Sequence, residues 1–260
     1  MQLILFIVAI IACIIGAVAG VGGGIVLKVF YDLVDAGNVL TIGFYSTILV
    51  FVMCIVSVFK QIKHGFKFDW AFLVSISFGS IMGGYVGNLG LNWADSIFTE
   101  TKLKLIQSVL LLISLIFLTI YTKKSSTNNK RPNYNWLAAL FLGVFLGATS
   151  IFLAIGGGPL NVSLLVIIFH FTMKQSAVYS IATVFFSQIT KLISIIIEGQ
   201  FMNFNTTMIP LLIVAGIIGG YIGTIWNQKI SSSKLESIYT VFMIGLILLT
   251  GFNTLRFIMA

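Results

Sequence analysis

The sequence predicts an all-α integral membrane protein with about eight hydrophobic helical units in two internal repeats of four, the first helix of each half being broken by glycines. Three observations predict this. The chain is too apolar for a soluble domain, its hydrophobic runs have bilayer length, and short motifs recur at a nearly constant offset. Of 260 residues, 58% are hydrophobic and 8% charged, and the mean hydropathy is +1.09. A soluble domain carries roughly a quarter charged residues. A membrane β-barrel would need alternating apolar and polar positions in strands of about ten residues, whereas these runs are continuous and longer.

A helix needs about 20 apolar residues to cross a bilayer. The runs that approach this are Leu3–Leu27, Val39–Phe59, Trp70–Leu91, Leu103–Tyr121, Trp136–Ile155 with its continuation Leu160–Phe169, Ala177–Ile197, Met208–Trp226 and Leu235–Phe257. Residues 1–121 then form a first four-unit membrane repeat and residues 136–260 a second. Between them, residues 122–135 are a polar, basic linker rich in Lys, Ser and Asn. No loop is long enough to hold a soluble domain.

The first unit of each half is interrupted, by Gly22-Gly23-Gly24 and by Gly156-Gly157-Gly158 followed by Pro159. Glycine lets backbone amides approach a ligand closely, and proline ends or restarts a helix. Ala17-Val18-Ala19 resembles a leader cleavage site, but no Lys or Arg precedes the run, and the glycines just beyond it have counterparts in the second half, so removal of the segment would destroy a repeated element. In the second units Tyr45-Ser46 matches Tyr179-Ser180 at the triplets' offset of 134. In the third, Gly83-Gly84-Tyr85-Val86-Gly87 matches Gly219-Gly220-Tyr221-Ile222-Gly223, and in the fourth Lys102-Leu103 matches Lys234-Leu235. Gly79, Gly83 and Gly87, like Gly219 and Gly223, recur every four residues on one helical face, a pattern for close helix packing in lipid.

Charge orients the chain through the positive-inside rule. Lys60, Lys63 and Lys67, with Lys123, Lys124, Lys130 and Arg131 of the linker, mark the cytoplasmic side. Two arrangements remain open. If each broken unit spans fully, the halves are parallel. If it re-enters as a hairpin, the halves are inverted, and Lys174, Lys229 and Lys234 join the cytoplasmic group.

Unwound backbone survives at membrane depth only where protein buries it or water lines it. A helix restarting after such a break offers unpaired N–H groups and a positive dipole end, which suits an anion. Gly22, Gly23, Gly24, Gly156, Gly157, Gly158 and Pro159 are therefore the leading substrate-binding candidates, with Asn161 just beyond and Tyr45 and Ser46 on the following unit. The second unit of the second half adds a hydroxyl stripe, Ser176, Ser180, Thr183, Ser187, Thr190 and Ser194, joined by Gln188 and Lys191. Its three-and-four spacing makes one helical face. Packing and bonds to the helix's own carbonyls are the competing reading of those hydroxyls. Lys191, six residues from the end of its run, can bind substrate or snorkel to the headgroups, and Lys28, four residues past Gly24, is its parallel.

Asp32 and Asp35 follow the first break, but no intramembrane carboxylate is expected to announce a proton relay. Cys13 and Cys54 read as small buried hydrophobes, and His64 and His170 as solvated loop residues. Neither a cofactor nor a metal site is expected. The formal charge of +8 fits cytoplasmic loops facing anionic lipid rather than nucleic acid.

Gly20-Val21-Gly22-Gly23-Gly24 and Gly156-Gly157-Gly158-Pro159, set in a four-plus-four arrangement with a basic central linker, resemble the sulfite exporter TauE/SafE family of bacterial and archaeal permeases. The resemblance covers essentially the whole chain. It implies a multi-pass cell-membrane protein that performs secondary transport of small anions, often sulfite, sulfoacetate or other organosulfonates. The first cluster has Ile25 where the second has Pro159, so equal contributions from the two halves are not implied. Expected partners are a small anionic substrate, membrane lipid, a coupling ion (H+ or Na+) and a second copy of the chain. The alternatives are an intramembrane enzyme or lipid-modifying protein, for which only Lys191 approaches a catalytic group, and an anion channel.

Overall fold

The computed structural model describes residues 2–34, 37–126, 132–155, 157–199 and 206–259. The described residues form ten α-helices: α1 Gln2–Ala19, α2 Gly24–Val34, α3 Val39–Lys63, α4 Trp70–Ile97, α5 Glu100–Ser126, α6 Trp136–Phe152, α7 Pro159–Phe169, α8 Met173–Ile197, α9 Ile209–Lys229 and α10 Ser232–Met259. Six of them, α3, α4, α5, α8, α9 and α10, are long and apolar enough to cross a bilayer. The remaining four are the pieces of the two glycine-broken units. Gly156, Asp35, Lys130 and Arg131 lie outside the described residues, while the start of the expected linker, through Ser126, continues α5.

Polar residues between the runs set where helices begin. The side chain of Asn38 accepts from the amide of Thr41 at 2.8 Å, and that of Asp69 from Phe72 at 2.9 Å. Asn135 caps α6, and Thr172 with Gln175 forms a capping box on α8. Each such cap satisfies amides that have no partner within the helix.

Both broken units are hairpins. The amide of Asn133, ahead of α6, donates to the carbonyl of Phe169, the last residue of α7, at 2.9 Å, so α7 returns to the level where α6 began. The direction of the first unit follows from its neighbours. Positions 219 and 223 of α9 meet Ile10 and Ile14 of α1 in ascending order, so α1 and α9 are parallel. A short turn reverses the chain into α10, whose Asn253 and Arg256 donate in ascending order to the carbonyls of Val29 and Leu33. Hence α2 runs with α10 and against α1.

The same reasoning gives α4 parallel to α6, with Gly79, Gly83 and Gly87 against Leu140, Val144 and Ala148. It also gives α4 parallel to α8, through Ser80 on Thr183 and Asn88 on Lys191. Helix α3 runs with α9, Leu49 and Met53 facing Gly216 and Gly220. Because the turn after Lys63 reverses the chain into α4, α3 and α8 run in opposite directions, as do α1 and α6, and α4 and α9. The principal packings are likewise exchange-related: α4 on α6 and α9 on α1, α4 on α8 and α9 on α3, with α3 meeting α8 and α5 meeting α10.

The spaced glycines make these contacts. A Cβ on Gly79, Gly83 or Gly87 would overlap a backbone carbonyl of α6, and one on Gly143 or Gly147 would overlap a carbonyl of α4. In lipid, where side-chain apolarity gives helices little reason to associate, such backbone contact supplies dispersion attraction over a long seam. Outside that seam the surface is apolar, as at Phe59, Phe141 and Ile197. All four tryptophans, Trp70, Trp93, Trp136 and Trp226, are exposed near helix ends, as in an interfacial aromatic belt.

One end of the molecule collects the turns after α3 and α9 and the starts of α4, α8 and α10. There Lys174 Nζ donates to the carbonyl of Gln228 at 2.8 Å, and Gln228 Nε2 to that of Lys60 at 3.2 Å. Beside them an aromatic cluster packs under the turn. Phe72 lies 4.8 Å from Phe169, 5.1 Å from Phe171 and 5.2 Å from Tyr179, centroid to centroid. Lys60, Lys63, Lys67, Lys174, Lys229 and Lys234 belong to this end, against Asp69 and Glu236.

Two measurements test this packing and topology. Gly83→Leu must push α4 off α6 and is expected to lower the thermal unfolding midpoint of detergent-solubilised protein by an amount equivalent to about 3 kcal/mol or more. Gly251→Ala, with open space at its Cβ, should leave the midpoint unchanged or slightly raised. For topology, cysteines replacing His64 and Ser233 should react with an impermeant maleimide from one membrane face and a cysteine replacing Thr99 from the other. Full spans at both breaks would instead group position 233 with position 99.

Candidate functional site

The tips of the two hairpins meet in the protein interior. A Cβ on Gly24 would lie 2.5 Å from the carbonyl oxygen of Ile155, and one on Gly158 3.4 Å from that of Val21. Both breaks are seated on α8. Gly20, in the left-handed region at φ 76°, leaves no room for a Cβ beside Ala177; Gly157, at φ 101°, leaves none beside Val184. At these two positions glycine is needed for both conformation and space. Ala154, also in the second break, holds φ 54° despite its side chain, a backbone state that costs about 1 kcal/mol or more and concentrates at functional sites.

The exposed backbone of the breaks is only partly satisfied. Ser180 Oγ donates to the carbonyl of Gly20 at 2.6 Å. Tyr239 donates from its hydroxyl to the carbonyl of Pro159 at 2.7 Å and shares a hydrogen bond with Ser163. The start of α7 has Gly158 as its N-cap, Pro159 in its first turn and no side-chain cap. That leaves a positive dipole end directed at the junction. Ser46 Oγ is buried without a hydrogen-bond partner and borders Gly24.

Next to the second break is a small polar cavity, bounded by Gly43 and Thr47 of α3, Ser150 and Ala154 around the end of α6, and Gln188 and Lys191 of α8. Its volume of about 10 Å³ is near the minimum for one water. Ser150 Oγ and Gln188 Oε1 are buried there with no partner. Lys191, 4% exposed, is fully interior rather than snorkelled. Its ammonium donates to Asn88 Oδ1. Asn88 Nδ2 in turn donates to Glu198 Oε1 at 2.9 Å, and Asn92 Nδ2 to Glu198 Oε2 at 3.0 Å. A buried cation is thus connected through one amide to a carboxylate at the exposed end of α8.

Lys28 is placed elsewhere. Its ammonium lies 3.3 Å from Asp32 Oδ2, both residues being buried, and donates to Gln107 Oε1 at 2.8 Å. Gln107 Nε2 donates to the carbonyl of Phe152, just before the second break, at 2.6 Å. Asp32, which reads as post-span in the sequence, is buried beside Lys28 in α2, the returning arm of the first hairpin.

The remaining sequence candidates divide. Gly23 packs against Ala12 and Cys13, closing the first hairpin, and Gly22 takes φ 67° in its turn. Tyr45 packs against the rings of Tyr31 and Phe44 rather than bordering the cavity. Asn161 is buried in the first turn of α7, its amide on the carbonyl of Gly158 at 3.1 Å. In the hydroxyl stripe Thr183 and Ser187 bond to carbonyls of their own helix, at 2.8 and 2.9 Å. Ser176 Oγ is buried and unpartnered. Asn88, Asn92, Gln107, Ser150 and Glu198 were not singled out by sequence, although a lone polar side chain in an apolar run is itself a signal. Among the described residues no group of three His, Cys, Asp or Glu could hold a metal ion.

The model of one family, described as sulfite exporter TauE/SafE, matches residues 5–250. A similar curated protein is the "Probable membrane transporter protein YunE" of Bacillus subtilis (strain 168), 25% identical over 263 residues, covering 93% of this chain and 94% of that protein. No solved structure matches. Six helices of spanning length and a family match over nearly the whole chain establish that this protein belongs to the sulfite exporter TauE/SafE family of membrane transporters.

Proposed function

We propose that the protein is a secondary transporter of small anions, sulfur oxyanions and organosulfonates foremost, working by alternating access around the junction of the two hairpin tips. The observation that carries this reading is the contact of the tips themselves, Gly24 on Ile155 and Gly158 on Val21, with an uncapped helix start and a buried lysine beside it. Discontinuous helices meeting at mid-depth, with N-terminal ends toward the substrate, are how transporters hold anionic groups. Lys191 supplies countercharge, while Gln188, Ser150 and Ser46 supply neutral hydrogen-bonding groups.

A cavity of about 10 Å³ is too small for a sulfonate, so binding there requires the cavity to widen. The aromatic cluster around Phe72 closes the lysine-rich end. By the positive-inside rule that end faces the cytoplasm, with the outer ends of α1 and α10 on the opposite face. Inverted halves give alternating access a simple geometry, since rocking one set against its counterpart opens either face in turn.

Titration of the purified protein with sulfite, thiosulfate, methanesulfonate and acetate, followed by thermal shift, is expected to show stabilisation by the sulfur anions above acetate. Lys191→Met should weaken that binding at least tenfold, because it removes the charge while keeping most of the side-chain volume. Gly157→Val should abolish labelled-anion uptake into proteoliposomes. Normal uptake by the Gly157 variant would show that the breaks do not form the site.

A further inference from the structure

We propose that Asp32, paired with Lys28 inside the first hairpin, is the proton-binding site that couples anion movement to a proton gradient. This rests on the anion-transport reading above. Ionised side chains at membrane depth are costly and mark ion pathways or relays. Replacing a buried ion pair with apolar residues is often neutral or stabilising, so the pair needs a reason beyond stability.

The geometry makes Asp32 the proton acceptor. Its Oδ2 faces Lys28 Nζ at 3.3 Å, whereas its Oδ1 is buried with no hydrogen-bond partner. An unpartnered carboxylate oxygen in a buried site has a lone pair available for a proton. Two other carboxylates are connected to buried lysines, Glu100 to Lys104 and Glu198 to Lys191; both are exposed, and Asn88 and Asn92 occupy both oxygens of Glu198. From α10, Arg256 holds the carbonyl of Leu33; on α5, Lys104 is paired with Glu100 at 2.9 Å. From α3, Tyr45 meets the Tyr31 ring, and α1 contributes only the buried Cys13.

Charge balance links this site to the anion. With Asp32 ionised, Lys28 and Asp32 sum to zero. When a proton from water forms an O–H bond at Oδ1, Asp32 becomes neutral and Lys28 retains its positive charge, with Gln107 Oε1 as a partner. That uncompensated charge is one turn along α2 from Gly24 and, through Gln107, one amide from the end of α6 at Phe152. An anion arriving at the junction and a proton arriving at Asp32 together leave the net charge of the interior unchanged, whereas either alone does not. Each ligand therefore raises the affinity for the other, by the reciprocity of linked binding. On release the proton leaves Oδ1 and the ion pair reforms, giving proton–anion symport.

The test uses proteoliposomes containing trapped pyranine, given an inward gradient of labelled thiosulfate or methanesulfonate, neither of which buffers near neutral pH. Wild-type protein should acidify the lumen in proportion to anion taken up. Asp32→Asn should reduce acidification per anion at least tenfold while retaining anion–anion exchange. If that variant does not fold, the charge-free Lys28→Gln/Asp32→Asn double variant is measured in the same way, with the same expected result. Wild-type anion uptake without acidification, or unchanged acidification in either variant, overturns the coupling proposal and leaves anion transport standing. Uptake of neither anion by wild-type protein overturns both.

Discussion

Unpaired backbone polar groups cannot face hydrocarbon, and the arrangement of this protein follows from where it hides two stretches of them. Each glycine-broken unit exposes amides and carbonyls where it turns back on itself, and the returning arms α2 and α7, of 11 residues each, are too short to span alone. Bringing the tips together against α8 shields both stretches at once. Ser180 satisfies the carbonyl of Gly20 and Tyr239 that of Pro159. The amides left at the start of α7 face the same junction. The constraint that buries the breaks is thus also the one that builds a site suited to a negative charge.

Backbone contact between helices makes the burial tight. Small residues let α4 lie on α6 and α9 on α1 with carbonyls within reach of glycine Cα atoms. These seams tie the first hairpin to α9 and the second to α4, so each hairpin packs on a long helix distant in sequence. Relative motion of hairpins and spans then acts on the junction directly, which fits a transporter better than a static scaffold. The exchange relation is only approximate in chemistry. The second hairpin is anchored by Tyr239 and Ser163, while the first carries the buried Lys28–Asp32 pair.

Charge is distributed with the same economy. Among the described residues three lysines are buried, and each has a carboxylate in its network: Asp32 directly for Lys28, Glu100 directly for Lys104, and Glu198 through Asn88 for Lys191. Lys191 borders the cavity beside the second break, while Lys28 reaches that break from outside through Gln107. In the proposed coupling, Asp32, with one oxygen unpartnered, supplies a change in charge that accompanies the anion.

Class, spans and breaks were legible in the sequence because hydrophobic run length and glycine placement are local properties. Whether the breaks were kinks or hairpin tips was not legible, since a run of 25 residues and a hairpin of similar length contain the same apolar composition. The answer came from long-range contacts such as Asn133 on Phe169. Asp32 illustrates the difference most plainly. Counted along the chain it follows the first apolar run; with α2 folded back it is buried against Lys28. Lys191 and Asn88 are 103 positions apart, and no periodicity joins them. Sequence alone determined that this chain enters a membrane and where its backbone must break; tertiary structure decided which buried charges meet, because pairing depends on helix direction and packing across the two halves.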